Sequence, residues 1–299
     1  MRPFNRTQKK NTRIPQRRIT SFKRKKAVAR RENLGVIGNK GKLKTCFLNV
    51  DGLNDVTFED IKNTVDLKKP DMVFLVETKR RCESTNNDIN IPDYTLHEAC
   101  RSDIANDKDG GGIAVFTKVS DGIVFKRYTP DIPDPHAAFV ANERVWITVE
   151  SQACKTAVCG LYMGCQFGDD RNCDWNNTIY QTLQHESFAL RSKGYRVVFL
   201  GDFNGHVGDN IGEGVPGNTP SINPNGRRFL DFLQHTDTVH INGSVRIPGR
   251  WDTRRTSGLW TRQRGGHSSI IDYGVISAEH VDTVIDMKID DLGTVWDKI

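Results

Sequence analysis

Apolar runs bounded by turn residues alternate with stretches of helical period along most of the chain. "LKTCFLNV", from Leu43 to Val50, predicts a strand. "TFEDIKNTVDLKK" predicts a helix opening on Thr57, with Asp60 three residues later as a capping-box variant, Phe58, Ile61 and Val65 as its buried stripe and Pro70 as its stop. "MVFLVET" is the next strand, so strand, helix and strand follow within about thirty-five residues, the length of a βαβ unit. "GGGIAVFT", "ERVWITVE" and "KTAVCGLYM" are three further strand-like runs. The last two leave no room for a crossover helix, so this middle section is expected to be antiparallel. A longer helix follows, with Trp175, Ile179, Leu183 and Leu190 on one face and Gly194 as its terminator; it feeds the strand "VVFLGD", which ends in Asp202. "NPNGRRFLDFLQ" predicts a third helix capped by Asn225, and "SSIIDYGVIS" a late strand. Strands outnumber helices, in mixed order and without repeats. One α/β domain of packed sheets with helices outside is the expected class.

With 299 residues, 36% apolar and 27% charged, the chain is long enough to build a proper core. Charge changes the picture at one end. Met1 to Lys42 holds fifteen Lys or Arg against a single acid, Glu32, and is therefore +14, which leaves the rest of the chain at −8. That segment has no sustained apolar period and reads as a disordered basic arm over 1–42, ahead of a folded domain over 43–299. Lys23, Arg24, Lys25, Lys26, Arg30 and Arg31 form a nucleic-acid-binding or nuclear-localisation patch. A plain solvated tail and an acid-free organelle address are the alternative readings. No apolar run approaches a signal-peptide core or a membrane span, which predicts a soluble, non-secreted protein without membrane contact, in the nucleus first and the cytoplasm second. The seven cysteines are odd in number and form no C-x-x-C pair, arguing against a disulfide framework or a zinc site and for a reducing compartment.

Candidate chemistry gathers where strands stop. "FLNVDGLN" delivers Asn49 and Asp51, "VFLVETK" delivers Glu77, "GDFN" delivers Asp202 and Asn204, and "IIDY" delivers Asp272. Singly, each is an ordinary turn former or loop carboxylate. Together, carboxylates brought to one edge of a sheet repel one another unless a cation sits among them. Oxygen donors without a His or Cys cluster suit Mg²⁺ or Mn²⁺. A metal held by few carboxylates keeps positions for phosphate oxygens, so the expected substrates are phosphodiesters or phosphomonoesters.

"LNVDGLN", "VFLVETK", "GGGIAVF", "VVFLGDFN", "NPNGRRFLDFL" and "IIDYGVIS" stand in the order and rough spacing of the endonuclease/exonuclease/phosphatase superfamily, which the chain resembles over nearly all of Leu43 to Ile299. The wording is similar to the endonuclease domain of non-LTR (LINE-like) retrotransposons and to the related apurinic/apyrimidinic endonucleases. This resemblance implies a four-layer α/β sandwich of two mixed sheets flanked by helices, and Mg²⁺-dependent hydrolysis of phosphodiesters. It implies Glu77 as the principal metal ligand with Asn49 and Asp51 beside it, Asp202 as the residue that orients or deprotonates the attacking water, Asn204 as a holder of the scissile phosphate and Tyr162 as a second phosphate contact. The partners implied are DNA, with RNA as an alternative, and a reverse transcriptase of the same element.

Two departures accompany the resemblance. The family follows its tyrosine with a proline, where this chain reads "YMGCQFGDD". The family also closes on a Ser-Asp-His strand whose histidine pairs with the acid matched by Asp272; His206, His267 and His280 do not stand at its position, so that strand is expected beyond Ile299 in a longer element. Two other functions stay open: the same fold acting on abasic DNA, RNA or a phosphorylated lipid or inositol, and a non-catalytic copy that binds nucleic acid through the arm. The Gly-rich run starting at Gly205 lacks G-x-G-x-x-G followed by a helix and reads as a substrate-side or flexible loop.

Overall fold

A computed structural model of the chain describes residues 42–80, 89–100, 111–120, 123–130, 143–150, 155–164, 171–208, 221–242, 261–264, 267–284 and 287. The expected basic arm, with Lys23, Arg24, Lys25, Lys26, Arg30 and Arg31, lies outside the described residues, as does most of the Gly-rich run after Gly205. In chain order the strands are β1 (Thr45–Asn49), β2 (Met72–Val76), β3 (Tyr94–Ala99), β4 (Ile113–Lys118), β5 (Val124–Tyr128), β6 (Arg144–Glu150), β7 (Lys155–Tyr162), β8 (Arg196–Asp202), β9 (Thr238–His240), β10 (Arg262–Arg264), β11 (His267–Ser269) and β12 (Asp272–Ser277). The helices are α1 (Asp55–Lys68), α2 (Arg171–Ser192) and α3 (Pro224–Thr236), followed by a 3₁₀ turn at Ala278–Thr283.

One sheet has the order β1-β2-β4-β3 and the other β5-β6-β7-β8-β12-β9, with β10 and β11 as a separate antiparallel pair. Each large sheet holds one parallel pair made by a helical crossover: β1 with β2 through α1, and β7 with β8 through α2. The remaining pairs are antiparallel, so both sheets are mixed. β6 and β7 pair as the sequence predicts. β4, however, joins the other sheet, between β2 and β3, so the three middle runs are not one meander. The chain changes sheets between β4 and β5, a short edge strand of sequence VFKRY whose polar positions hide it from a hydrophobic reading.

β2 explains the layering. Met72, Phe74 and Val76 face the second sheet, packing with Ile147, Val158 and Tyr162, while Val73 and Leu75 face Phe58, Ile61 and Val65 of α1. Buried on both faces, β2 reads as a continuous apolar run. On the far side of the second sheet, Ile179, Leu183 and Leu190 of α2 and Phe229, Phe232 and Leu233 of α3 cover Cys159, Leu161, Val197 and Phe199. The result is helix, sheet, sheet, helix: the four-layer α/β sandwich. The sheets come close where Gly160 of β7 meets Phe74 of β2, since a Cβ added there would stand 2.5 Å from Phe74 Cδ1.

Two helix starts differ from expectation. α1 is capped by Asn54, whose Oδ1 accepts from Thr57 N at 2.9 Å, so the helix begins two residues before Thr57. α3 is capped by Asn223, with Pro224 opening the helix; Asn225 falls inside the first turn and is fully buried. Among the described cysteines, Cys100 and Cys159 are buried and Cys46 is half-buried. No described helix is long and apolar enough to cross a membrane.

Candidate active site

The parallel pairs bring the expected residues to one rim of the sandwich. Asn49 closes β1 opposite Val76, the last residue of β2, and Glu77 follows directly. Tyr162 closes β7 opposite Asp202, the last residue of β8. Asp272 also pairs with Asp202, but it opens β12 rather than ending a strand. Because β12 runs antiparallel to β8, its beginning lies at the same rim, so the expected convergence holds by the opposite route.

Two hydrogen bonds between these residues cross from sheet to sheet. Asn49 Nδ2 donates to Asp202 Oδ2 at 2.9 Å, and Tyr162 Oη donates to Glu77 Oε1 at 3.3 Å. Asp202 Oδ1 accepts from the backbone N–H of Asn204 at 2.8 Å, an Asx-type turn that carries the chain off the strand. Asn204 Nδ2 donates to Met163 O at 2.7 Å, while Asn223 Nδ2 donates to Asn204 O at 2.9 Å. Asn223 Oδ1 meanwhile accepts from His206 N and Gly226 N, so the cap of α3 also braces the loop after Asp202. Asp51 stands at the edge of the group: its side chain is 81% exposed and pairs with Lys79 Nζ at 2.7 Å, and its N–H donates to Asn49 Oδ1 at 3.0 Å.

Backbone strain singles out the same positions. Asp51, Glu77, Lys79 and Asn204 adopt left-handed φ values of 43°, 58°, 55° and 45°. Among the described non-glycine residues the others with positive φ are Lys69 and Asp237, which terminate α1 and α3, and Asp93 in a turn. Left-handed conformations cost a side-chain-bearing residue free energy and persist where surrounding contacts impose them. Around Glu77 those contacts are Thr78 N to Gly112 O at 3.1 Å and Lys79 N to Gly111 O at 2.9 Å. Gly112 must be glycine for this, since its φ is 84° and a Cβ would stand 2.7 Å from Thr78 Oγ1.

Asp202 is 2% exposed, and burial pushes its carboxyl well above the usual carboxylate range. The charges of Asp272 and Glu77 push the same way, against the N–H of Asn204 and the amide of Asn49. Among the described residues no three His, Cys, Asp or Glu side chains form a ready-made metal cage. Oxygen donors are nonetheless gathered on the strand ends at Asn49, Asp51 and Glu77, and Mg²⁺ is commonly held by one or two carboxylates and completed by water and substrate phosphate. The donor set fits that kind of site.

No family model matches the chain, and no curated protein matches its sequence. Solved structures do match. An apurinic endonuclease of Leishmania major superposes with a TM-score of 0.63 at 15% identity, covering 82% of this chain and 81% of its own. The fold is that of endonuclease/exonuclease/phosphatase proteins. A 3′-5′ exonuclease of Neisseria meningitidis shares the fold with a TM-score of 0.56 at 17% identity, over 83% of this chain and 92% of its own. The endonuclease domain of TRAS1, a telomere-specific non-LTR retrotransposon, shares it at 0.51 and 11%, over 81% and 88%. Residues that sequence reasoning missed are Asn223 and Asn176, together with the role of Asn225. Only Asn223 carries a local signal, standing directly before Pro224.

Proposed function

We propose that the chain hydrolyses phosphodiester bonds, and that it is a Mg²⁺-dependent (or Mn²⁺-dependent) DNA endonuclease that nicks a strand in a retrotransposon-like element. The observation that carries this reading is Asp202: a buried carboxylate with each oxygen held by a different donor, at the rim where Glu77 and Tyr162 meet across the sheets. Glu77, with Asn49 and Asp51 beside it, would hold the metal, which when bound supplies neutralisation of charge on the phosphate.

Asp202 is the base. Fixed by Asn49 and Asn204, it takes a proton from water at one carboxylate oxygen, and its raised proton affinity makes it a stronger acceptor than an exposed aspartate. Asp272, directly opposite in the ladder, keeps that affinity high. Asn204 and Tyr162 orient the phosphate, the first anchored to Met163 O and the second to Glu77. DNA is favoured as substrate because the fold relatives are described as an apurinic endonuclease, an exonuclease, a phosphatase bound to a product DNA hairpin and a retrotransposon endonuclease. The +14 arm over 1–42 provides the non-specific phosphate affinity that a −8 domain lacks. The nucleus is the location, and a reverse transcriptase of the same element the protein partner.

The test is a substrate panel with Mg²⁺: end-labelled intact duplex, the same duplex with one abasic site, and single-stranded RNA of the same sequence. Cleavage of intact duplex is expected. Cleavage confined to the abasic duplex or to RNA would replace the substrate, and no cleavage of any of the three would remove the hydrolytic reading.

A further inference from the structure

The turn that follows Tyr162 lacks the family's proline, yet its carbonyls are firmly held. Asn204 Nδ2 donates to Met163 O at 2.7 Å, and Gly164 O accepts from both Asn176 Nδ2 at 3.0 Å and Asn225 Nδ2 at 3.1 Å. Asn176 Nδ2 also donates to Asn225 Oδ1 at 2.9 Å, an oxygen that Arg228 Nη1 reaches at 3.3 Å. Asn176 lies on α2 and Asn225 in the first turn of α3, so two helices of the outer layer converge on one carbonyl of the rim.

Both asparagines are 0% exposed. Burying a carboxamide is unfavourable unless all its hydrogen bonds are made, and Asn176 Oδ1 is buried with no hydrogen-bond partner among the described residues. Asparagine is also a weak helix former. An apolar pair would pack α2 against α3 without these costs, so packing alone does not account for the choice. What the pair accomplishes is to fix Gly164 O. Met163 N donates to Asp202 O at 2.8 Å, so three backbone groups, Met163 N, Met163 O and Gly164 O, are pinned directly behind Tyr162.

We infer that Asn176 and Asn225 are positioning residues for the hydrolysis proposed above: they fix the turn behind Tyr162 as a proline ring would, and so hold the Tyr162 hydroxyl against Glu77. Their catalytic consequence rests on that hydrolytic reading. Their positional consequence is readable without turnover.

The experiment labels the full chain with 3-fluorotyrosine, assigns the Tyr162 signal in the ¹⁹F spectrum with Tyr162→Phe, and compares Asn176→Ala and Asn225→Ala, each of which leaves one amide on Gly164 O. The Tyr162 signal is expected to shift or broaden in both variants, while those of Tyr94, which opens β3, and Tyr195, which precedes β8, stay in place at the opposite rim. An unmoved Tyr162 signal in the folded variants overturns the inference. A variant that does not fold disturbs Tyr94 and Tyr195 as well and is replaced by its serine counterpart, read the same way. In DNA cleavage, kcat is expected to fall about 10–100-fold with KM within about twofold; a rise in KM with kcat intact overturns the positioning role. A Tyr162 signal that moves in the variants while the wild type shows no turnover overturns the catalytic role and the hydrolytic reading with it, leaving the turn geometry alone.

Discussion

A carboxylate as deeply buried as Asp202, facing Asp272, folds more readily protonated than ionised. Its native pKa lies above the unfolded value, so its contribution to stability is complete below about pH 4 and is lost as pH rises through the native pKa. Asp202→Asn removes that titration. In metal-free buffer the melting temperature of the wild type relative to this variant is expected to fall as pH is raised from about 4 to 8; a gap that stays constant over that range contradicts the assignment. The same substitution should lower hydrolysis by about two to four powers of ten. Asp202, Asn204 and Glu77 were legible in the sequence because each interrupts an apolar strand abruptly. Their partners were not, since Asn49 and Asp202 are 153 residues apart and meet only when the two sheets pack.

Helix α3 shows how an element can serve stability and the site at once. Asn54 caps α1, and among the described residues its side chain hydrogen-bonds only to Thr57 in that helix's first turn. Asn223 caps α3 and in addition holds Asn204 O and His206 N. Asn54→Ala should therefore cost about 1 kcal/mol and leave turnover unchanged. Asn223→Ala should cost more in denaturant melts and lower kcat as well; equal behaviour of the two variants contradicts the coupling of α3 to the site. Both starts were misread for a physical reason. Asn54 precedes Thr57 by one turn, so either could cap a helix over the same apolar stripe, while Asn223 and Asn225 flank Pro224, and only the preference of proline for the first helical position separates them. The buried strands β2, β6, β7 and β8 were readable because a buried sheet demands continuous apolar runs. β5, at the edge of its sheet, carries no such demand.

At the scale of the molecule, opposite charges are divided between residues 1–42, at +14, and 43–299, at −8. If the arm carries the backbone contacts, removing residues 1–42 flattens the dependence of DNA affinity on salt, because each lost phosphate contact lowers the slope of log K against log salt by about 0.9 for duplex DNA. An unchanged slope takes the arm out of DNA binding. The order of apolar runs led to packed sheets with helices outside, and the four layers were implied by the family resemblance; neither assigned β4 and β5 to different sheets, because β5 is a short, polar edge strand. We assign phosphodiester hydrolysis to the rim joining Asn49, Glu77, Tyr162, Asp202 and Asn204. The most direct test of this assignment is the rate at which wild type and Glu77→Ala, purified in parallel, open supercoiled plasmid with and without Mg²⁺. The predicted result is nicking by the wild type that requires Mg²⁺ or Mn²⁺ and falls at least about a hundredfold in Glu77→Ala. Nicking that persists at the wild-type rate in Glu77→Ala, or that ignores the metal, would contradict it.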